Sequence, residues 1–145
     1  PERFLGYLDK DLDKQAFLPG GWYRTGDVGR LDEDGFLLIT DRKKDIIIRG
    51  GENISSRDVE DVAWLISGVR DSAAVAVPDD RLGERIKLFV EMESGETMTL
   101  DAMQAHYRAQ GVASQKIPEF LEIIDTLPRN DNGKVLKVEL RNRRH

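Results

Sequence analysis

The chain reads as an α+β fold: a small β-sheet of about three strands packed with helices and preceded by β-hairpins. Three observations predict it. An Asp-Gly turn in Asp32–Gly35 separates two apolar runs, a strong short-range hairpin signal. Beyond residue 45, short β-type runs alternate with stretches of helical periodicity, the pattern of a sheet with helices laid against it. Between these regions lies Thr40–Ile54, which packs four cations, three acids, the apolar run Ile46–Ile48 and a double glycine into fifteen residues. Charge beside a buried strand suggests a polar surface fixed to a rigid element. An ordinary solvated basic hairpin is the other reading of that segment.

Residues 1–21 are loop-rich, punctuated by Gly6, Pro19, Gly20 and Gly21. Trp22 and Tyr23 form an aromatic pair before a turn that presents Asp27. Gly29–Leu31 and Phe36–Thr40 are the arms of the hairpin. After the charged cluster, the strand Ile46–Ile48 ends at Gly50-Gly51. Two residues without Cβ there let the backbone turn at positive φ or let a ligand come close. Ser55 and Asp58 fit a helix-capping pattern, and Val59, Val62, Ala63 and Ile66 share one helical face before Gly68 closes it. A small-residue strand, Ser72–Val77, is expected to stop at Pro78, and Asp79–Gly83 turns the chain. In Arg85–Met92 the residues Ile86, Leu88, Val90 and Met92 alternate on one face. A second helix should run from near Thr99 to near Gly111 with Leu100, Met103 and Tyr107 inward. Pro118 opens the strand Phe120–Ile124, Asn130–Gly133 is a tight turn, and a final helix carries Leu136 and Leu140. The division between hairpins and α/β unit falls at residues 41–45.

Composition narrows the function classes. The 145 residues suffice for one real core, and 39% hydrophobic with 34% charged residues is a soluble-globular balance. No stretch approaches the roughly 18 apolar residues of a membrane span, and no basic-then-apolar leader is present. Opening on Pro1 rather than Met, the chain is expected to be a piece of a longer protein. Without cysteine it has no disulfide or thiolate metal site, which fits a reducing, cytoplasmic location. With His106 and His145 as its only histidines, no metal is expected. A net charge of −5 argues against wholesale nucleic-acid binding. Residues 129–145 nevertheless hold six Lys/Arg against Asp131 and Glu139. Such a tail could serve a phosphate-bearing ligand, or Arg141, Arg143 and Arg144 could complement a helix C-terminus.

Glycine-rich stretches invite a search for phosphate loops. Gly21 and Gly26 have the P-loop spacing, but Asp27-Val28 follow where Lys-Ser/Thr is needed. Gly133-Lys134 has Pro128 in place of the first glycine. No nucleophile elbow occurs, and Asn53-Ile54-Ser55 is a glycosylation sequon in form alone. Asp27, Arg42 and Lys134 remain. An aspartate can accept hydrogen bonds from sugar hydroxyls, an arginine can clamp phosphate or ribose oxygens, and a lysine can neutralise oxyanion charge. Each also has a plainer reading: turn former, surface cation, solvated turn residue.

Four motifs in order widen the view: Tyr23–Asp27 (YRTGD), Asp41–Asp45 (DRKKD), Gly50–Asn53 (GGEN) and Leu127–Lys134 (LPRNDNGK). Together they resemble the C-terminal part of adenylate-forming enzymes, the superfamily of acyl-CoA synthetases, firefly luciferase and peptide-synthetase adenylation domains. Ile46–Ile54 and Gly133–Lys137 look most like the acyl-CoA synthetase branch. The resemblance implies that residues 1–43 end a large N-terminal adenylation domain and approach a hinge, and that 44–145 form the mobile C-terminal domain. It implies an acid–CoA ligase that uses ATP to make an acyl-adenylate and then passes the acyl group to CoA. Asp27 and Arg42 would then bind nucleotide, Lys44 would be the hinge (with Lys43 able to share the role), and Gly50, Gly51 and Glu52 would lie on the CoA path. Lys134 would be the catalytic lysine of adenylation. Asn130-Asp131-Asn132 departs from the Thr/Ser/Pro that relatives often show there. ATP, with its Mg, and the carboxylic acid would be held mainly by the missing N-terminal domain. The fragment alone is expected to be inactive. Two rival readings are a domain that loads a carrier protein, and a non-catalytic module whose basic tail binds an acidic partner. The −5 charge and the lack of interleaved aromatics near the tail count against the second.

Overall fold

The structure, a computed structural model, describes residues 4–143. It divides into two compact units, Pro1–Lys43 and Lys44–His145.

In the first unit, helix α1 (Lys10–Ala16) occupies part of the expected loop region. It carries no buried residue, so no apolar stripe announces it. Asp9 caps it by accepting from the Asp11 N–H at 2.9 Å, and Lys14 sits in its last turn. Strands β1 (Phe17–Leu18) and β2 (Trp22–Tyr23) pair antiparallel, as do β3 (Asp27–Leu31) and β4 (Leu37–Arg42). The β3–β4 turn forms as its Asp-Gly chemistry demands. Asp32 Oδ1 accepts from the N–H of Asp34 and of Phe36 at 3.1 and 2.8 Å, and Gly35 takes φ +84°. None of the described residues of this unit is fully buried. Trp22, Leu31, Phe36 and Leu37 are each at least 63% exposed.

A short 3-10 turn, Lys43–Asp45, spans the division. The second unit then runs β5 (Ile46–Arg49), β6 (Glu52–Ser55), α2 (Ser56–Ala63), β7 (Val69–Asp79), β8 (Gly83–Met92), α3 (Leu100–Ala109), β9 (Phe120–Ile124) and α4 (Lys137–Asn142). The expected α+β class is present, but the main sheet has five strands rather than about three, in the order β6-β5-β8-β7 with β9 beside β8. The unexpected strand is β6. Its one buried apolar residue, Ile54, gives no alternation to read, and it becomes a strand by folding back on β5. Strand β7 continues through Pro78 to Asp79. Because β7 is an edge strand, a residue without an N–H is tolerated there. Strand β9 runs parallel to β8, and α3 supplies part of the crossover that a parallel pair requires.

Helices cover both faces of this sheet. On one, Ile47, Ile54, Val59, Ala74, Ile86, Leu88 and Val90 pack with Met103 and Tyr107 of α3. The Ser55 hydroxyl caps α2 by accepting from the Asp58 N–H at 3.1 Å. The Tyr107 hydroxyl donates to the Val59 carbonyl at 2.6 Å, joining α3 to α2, and burial pushes that phenol's pKa up. Leu100, expected inward, is 36% exposed at the start of α3. On the other face, Ala73, Val75, Phe89, Ile124 and Leu127 pack against Leu140 of α4. The β8 alternation is therefore real, yet its opposite stripe is buried as well. Lys87 on that stripe lies 2.6 Å from Glu122 and over the Phe89 ring at 4.7 Å. Glu91 accepts from the Leu127 N–H at 3.1 Å. Arg141 lies in the last turn of α4 and Arg143 just beyond it; Arg144 and His145 lie outside the described residues.

Candidate functional site

Asp27 and Arg42 are brought together by the first unit's hairpin. They face each other across β3 and β4, and Arg42 Nε stands 3.0 Å from Asp27 Oδ1. Local turns fix both. The Asp27 N–H donates to the Thr25 hydroxyl at 3.1 Å, Gly26 takes φ +77°, and the Lys43 N–H closes onto the Gly26 carbonyl at 2.8 Å. Arg42 is part-exposed, so the pair presents a carboxylate and a guanidinium at the surface of this unit. That chemistry suits a ligand with both hydroxyls and phosphate oxygens.

Lys44 opens the second unit, and its carbonyl accepts from Arg141 Nη2 of α4 at 2.9 Å. The same nitrogen lies 2.7 Å from Oδ1 of the nearly buried Asp45. The backbone of Lys44 is thereby tied to α4, while its side chain makes no ion pair among the described residues.

Gly50 and Gly51 form the two-residue turn between β5 and β6, with φ of +59° and +87°. Positive φ at both central positions is the type I′ requirement that matches strand twist. The Gly50 N–H donates to the Leu82 carbonyl at 2.8 Å, so this tip leans on the β7–β8 turn. Asp79 holds that second turn by accepting from the N–H groups of Leu82 and Arg81, which keeps its carboxyl below the ordinary range. A Cβ on Gly51 would meet nothing within 4 Å. The restriction at this position is therefore conformational, and the space beside it is open. Gly51→Val is expected to lower the chain's thermal midpoint through a cost of about 1–2 kcal/mol. An unchanged midpoint would remove the positive-φ argument. Glu52, the first residue of β6, is exposed beside the turn.

Lys134 is exposed at the tip of a tight hairpin whose arms meet in the Arg129–Val135 bridge. Asn130 closes the tip. Its Oδ1 accepts from the N–H of Asn132 and of Lys134 at 3.1 and 2.8 Å, and Gly133 takes φ +77°. The Lys134 ammonium makes no ion pair among the described residues. Cation, open surroundings and a rigid turn coincide at one place. Among the described residues no group of three or more His, Cys, Asp or Glu side chains could hold a metal ion.

Residues 58–134 match the family model of the AMP-binding enzyme C-terminal domain. The chain belongs to that family. It is 43% identical over 143 residues to a medium-chain fatty-acid–CoA ligase of Escherichia coli, covering 97% of this chain and 25% of that protein. ATP-bound MatB from Rhodopseudomonas palustris superposes with a TM-score of 0.84 at 33% identity, over 92% of this chain and 26% of that one. The amide bond synthetase McbA from Marinactinospora thermotolerans superposes with a TM-score of 0.81 at 37% identity, over 94% of this chain and 28% of that one. The chain thus spans about a quarter of the length of the relatives it matches. The sequence reading overlooked the side chains that hold the motifs: Arg141 on Lys44 and Asp45, Arg129 on Gly133, and Lys137 on α2. The Lys137–Arg141 spacing is a visible signal that one helix face carries both cations. Their partners, up to 97 residues away in the chain, are not visible.

Proposed function

We propose that the chain is the C-terminal part of an ATP-dependent carboxylic acid–CoA ligase, with a fatty acid as the favoured acid class. Lys134 carries the reading: a cation free of ion pairs among the described residues, presented on a closed turn, suits a step in which two anions must meet. Adenylation is such a step. A carboxylate oxygen attacks the α-phosphorus of ATP, the acyl–phosphate bond forms and pyrophosphate leaves. The Lys134 ammonium neutralises charge between carboxylate and α-phosphate. Asp27 accepts from the ribose hydroxyls, and Arg42 beside it contacts ribose or phosphate. Gly50, Gly51 and Glu52 flank the path of the CoA thiol arm, which the open space at Gly51 supports. Lys44 is the pivot between half-reactions, a role supported by the division of the chain between Lys43 and Lys44 and by the Arg141 clamp on its carbonyl.

The uncovered apolar residues of the first unit support its assignment to the end of a larger N-terminal domain. Trp22, Leu31, Phe36 and Leu37 are each at least 63% exposed, apolar surface available for a neighbouring domain to cover. The adenine pocket, the acyl pocket and the Mg-bound phosphates of ATP then belong to the missing part. The chain by itself is expected to release no pyrophosphate above background from ATP and a fatty acid, whereas the full-length parent does so and forms acyl-CoA. Turnover by the isolated chain would overturn the division of labour. Faster acyl transfer by the parent to a phosphopantetheinyl carrier protein than to CoA would replace the acceptor.

A further inference from the structure

The peptide unit that delivers Lys134 is held at both of its polar ends by side chains. Arg129 Nη1 donates to the Gly133 carbonyl at 3.0 Å, and the Lys134 N–H donates to Asn130 Oδ1 at 2.8 Å. The turn is already closed by backbone bonds, Asn130 N–H to the Lys134 carbonyl at 2.9 Å and Gly133 N–H to the Asn130 carbonyl at 2.8 Å. The two side-chain bonds are therefore additional to hairpin closure. Arg129 is itself anchored, because its Nη2 pairs with Asp71 Oδ2 on β7. The other oxygen of Asp71 accepts from the Ser72 N–H at 2.7 Å and from the Trp64 indole N–H at 3.2 Å. A continuous path leads from the sheet edge, through a carboxylate and a planar guanidinium, to the peptide that bears the lysine. A guanidinium fork can serve two acceptors at once in fixed geometry, which a single ammonium cannot do.

We propose that Arg129, backed by Asp71, and Asn130 are positioning residues for Lys134. They fix the plane of the Gly133–Lys134 peptide and so the direction in which the lysine leaves the turn. The inference rests on reading Lys134 as the adenylation lysine. Its physical force is that reacting groups misplaced by about 1 Å lose much of the rate gained from orientation.

The test uses the full-length parent, with adenylation followed by pyrophosphate release and thioester formation followed from preformed acyl-adenylate. Arg129→Ala and Asn130→Ala each lower kcat for adenylation about tenfold, the scale of one hydrogen bond to a charged or positioning group. The KM for ATP and the thioester step stay unchanged. Asn130→Thr restores adenylation, because its hydroxyl can accept the same N–H. Asp71→Asn combined with Arg129→Ala is no worse than Arg129→Ala alone, as expected of one connected unit. Adenylation retained by both alanine variants, while Lys134→Ala abolishes it, overturns the positioning role and leaves the reading of Lys134 standing. Adenylation retained by Lys134→Ala overturns both. Equal loss of both half-reactions in Asn130→Ala overturns the proposal in favour of a general structural effect. Should Arg129→Ala not fold, the exposed Asn130 pair decides the matter.

Discussion

Lys134→Ala in the full-length parent is expected to lower the rate of acyl-adenylate formation by at least about 10²–10³-fold, the scale of losing one preorganised charge-stabilising group. Thioester formation from supplied acyl-adenylate should stay within about threefold, because an interaction used in one transition state is missed only there. The physical reason is the approach of a carboxylate to a polyphosphate. Repulsion rises as water leaves the site, and one ammonium offsets it where charge gathers. Lys134→Arg should recover only part of the rate, since a broad planar fork does not replace a compact cation. Quenched-flow measurement of pyrophosphate and of acyl-CoA separates the two steps. Equal loss in both would refute the assigned role.

The second large effect concerns stability. Lys137 Nζ lies 2.6 Å from Glu60 Oε1 and donates to the Ser56 hydroxyl at 2.6 Å, with the lysine and glutamate side chains 16% and 13% exposed. Glu60 also accepts from the Ala74 N–H at 2.8 Å, so the pair joins α4, α2 and β7. Lys137→Ala removes the countercharge from a carboxylate that has little access to water. A cost of about 3–5 kcal/mol is expected, lowering the chain's thermal midpoint by more than about 10 °C for a unit of this size. Lys137→Met with Glu60→Gln should recover most of that loss, because the glutamine still accepts from Ala74 and no charge is left buried. Calorimetry of the single and double variants decides it. A single-variant loss under about 1 kcal/mol would class the pair with exposed ion pairs.

Much of the fold was legible because its signals are local. Asp32–Gly35 set the β3–β4 hairpin, Ser55 and Asp58 marked the start of α2, and Thr99 with Gly111 bracketed α3. The misses are tertiary. Strand β6 exists because Gly50-Gly51 folds it onto β5, and its own four residues carry no strand pattern. Helix α1 has caps and charge but no buried face. Lys87, Phe89 and Glu91 look outward-facing in an alternating strand, yet all three are buried, Phe89 against Leu140 of α4. At the candidate site, the glycines and Lys134 stand in readable motifs. Arg129 and Asp71 are 58 residues apart, and neither residue hints at the other.

The last core to be filled has a consequence for how the molecule is born. Phe89, Val75 and Leu127 wait for Leu140, which follows every residue it covers in the chain. During translation the β7–β8 surface therefore leaves the ribosome bare on that side, and the α2–α3 side can settle first.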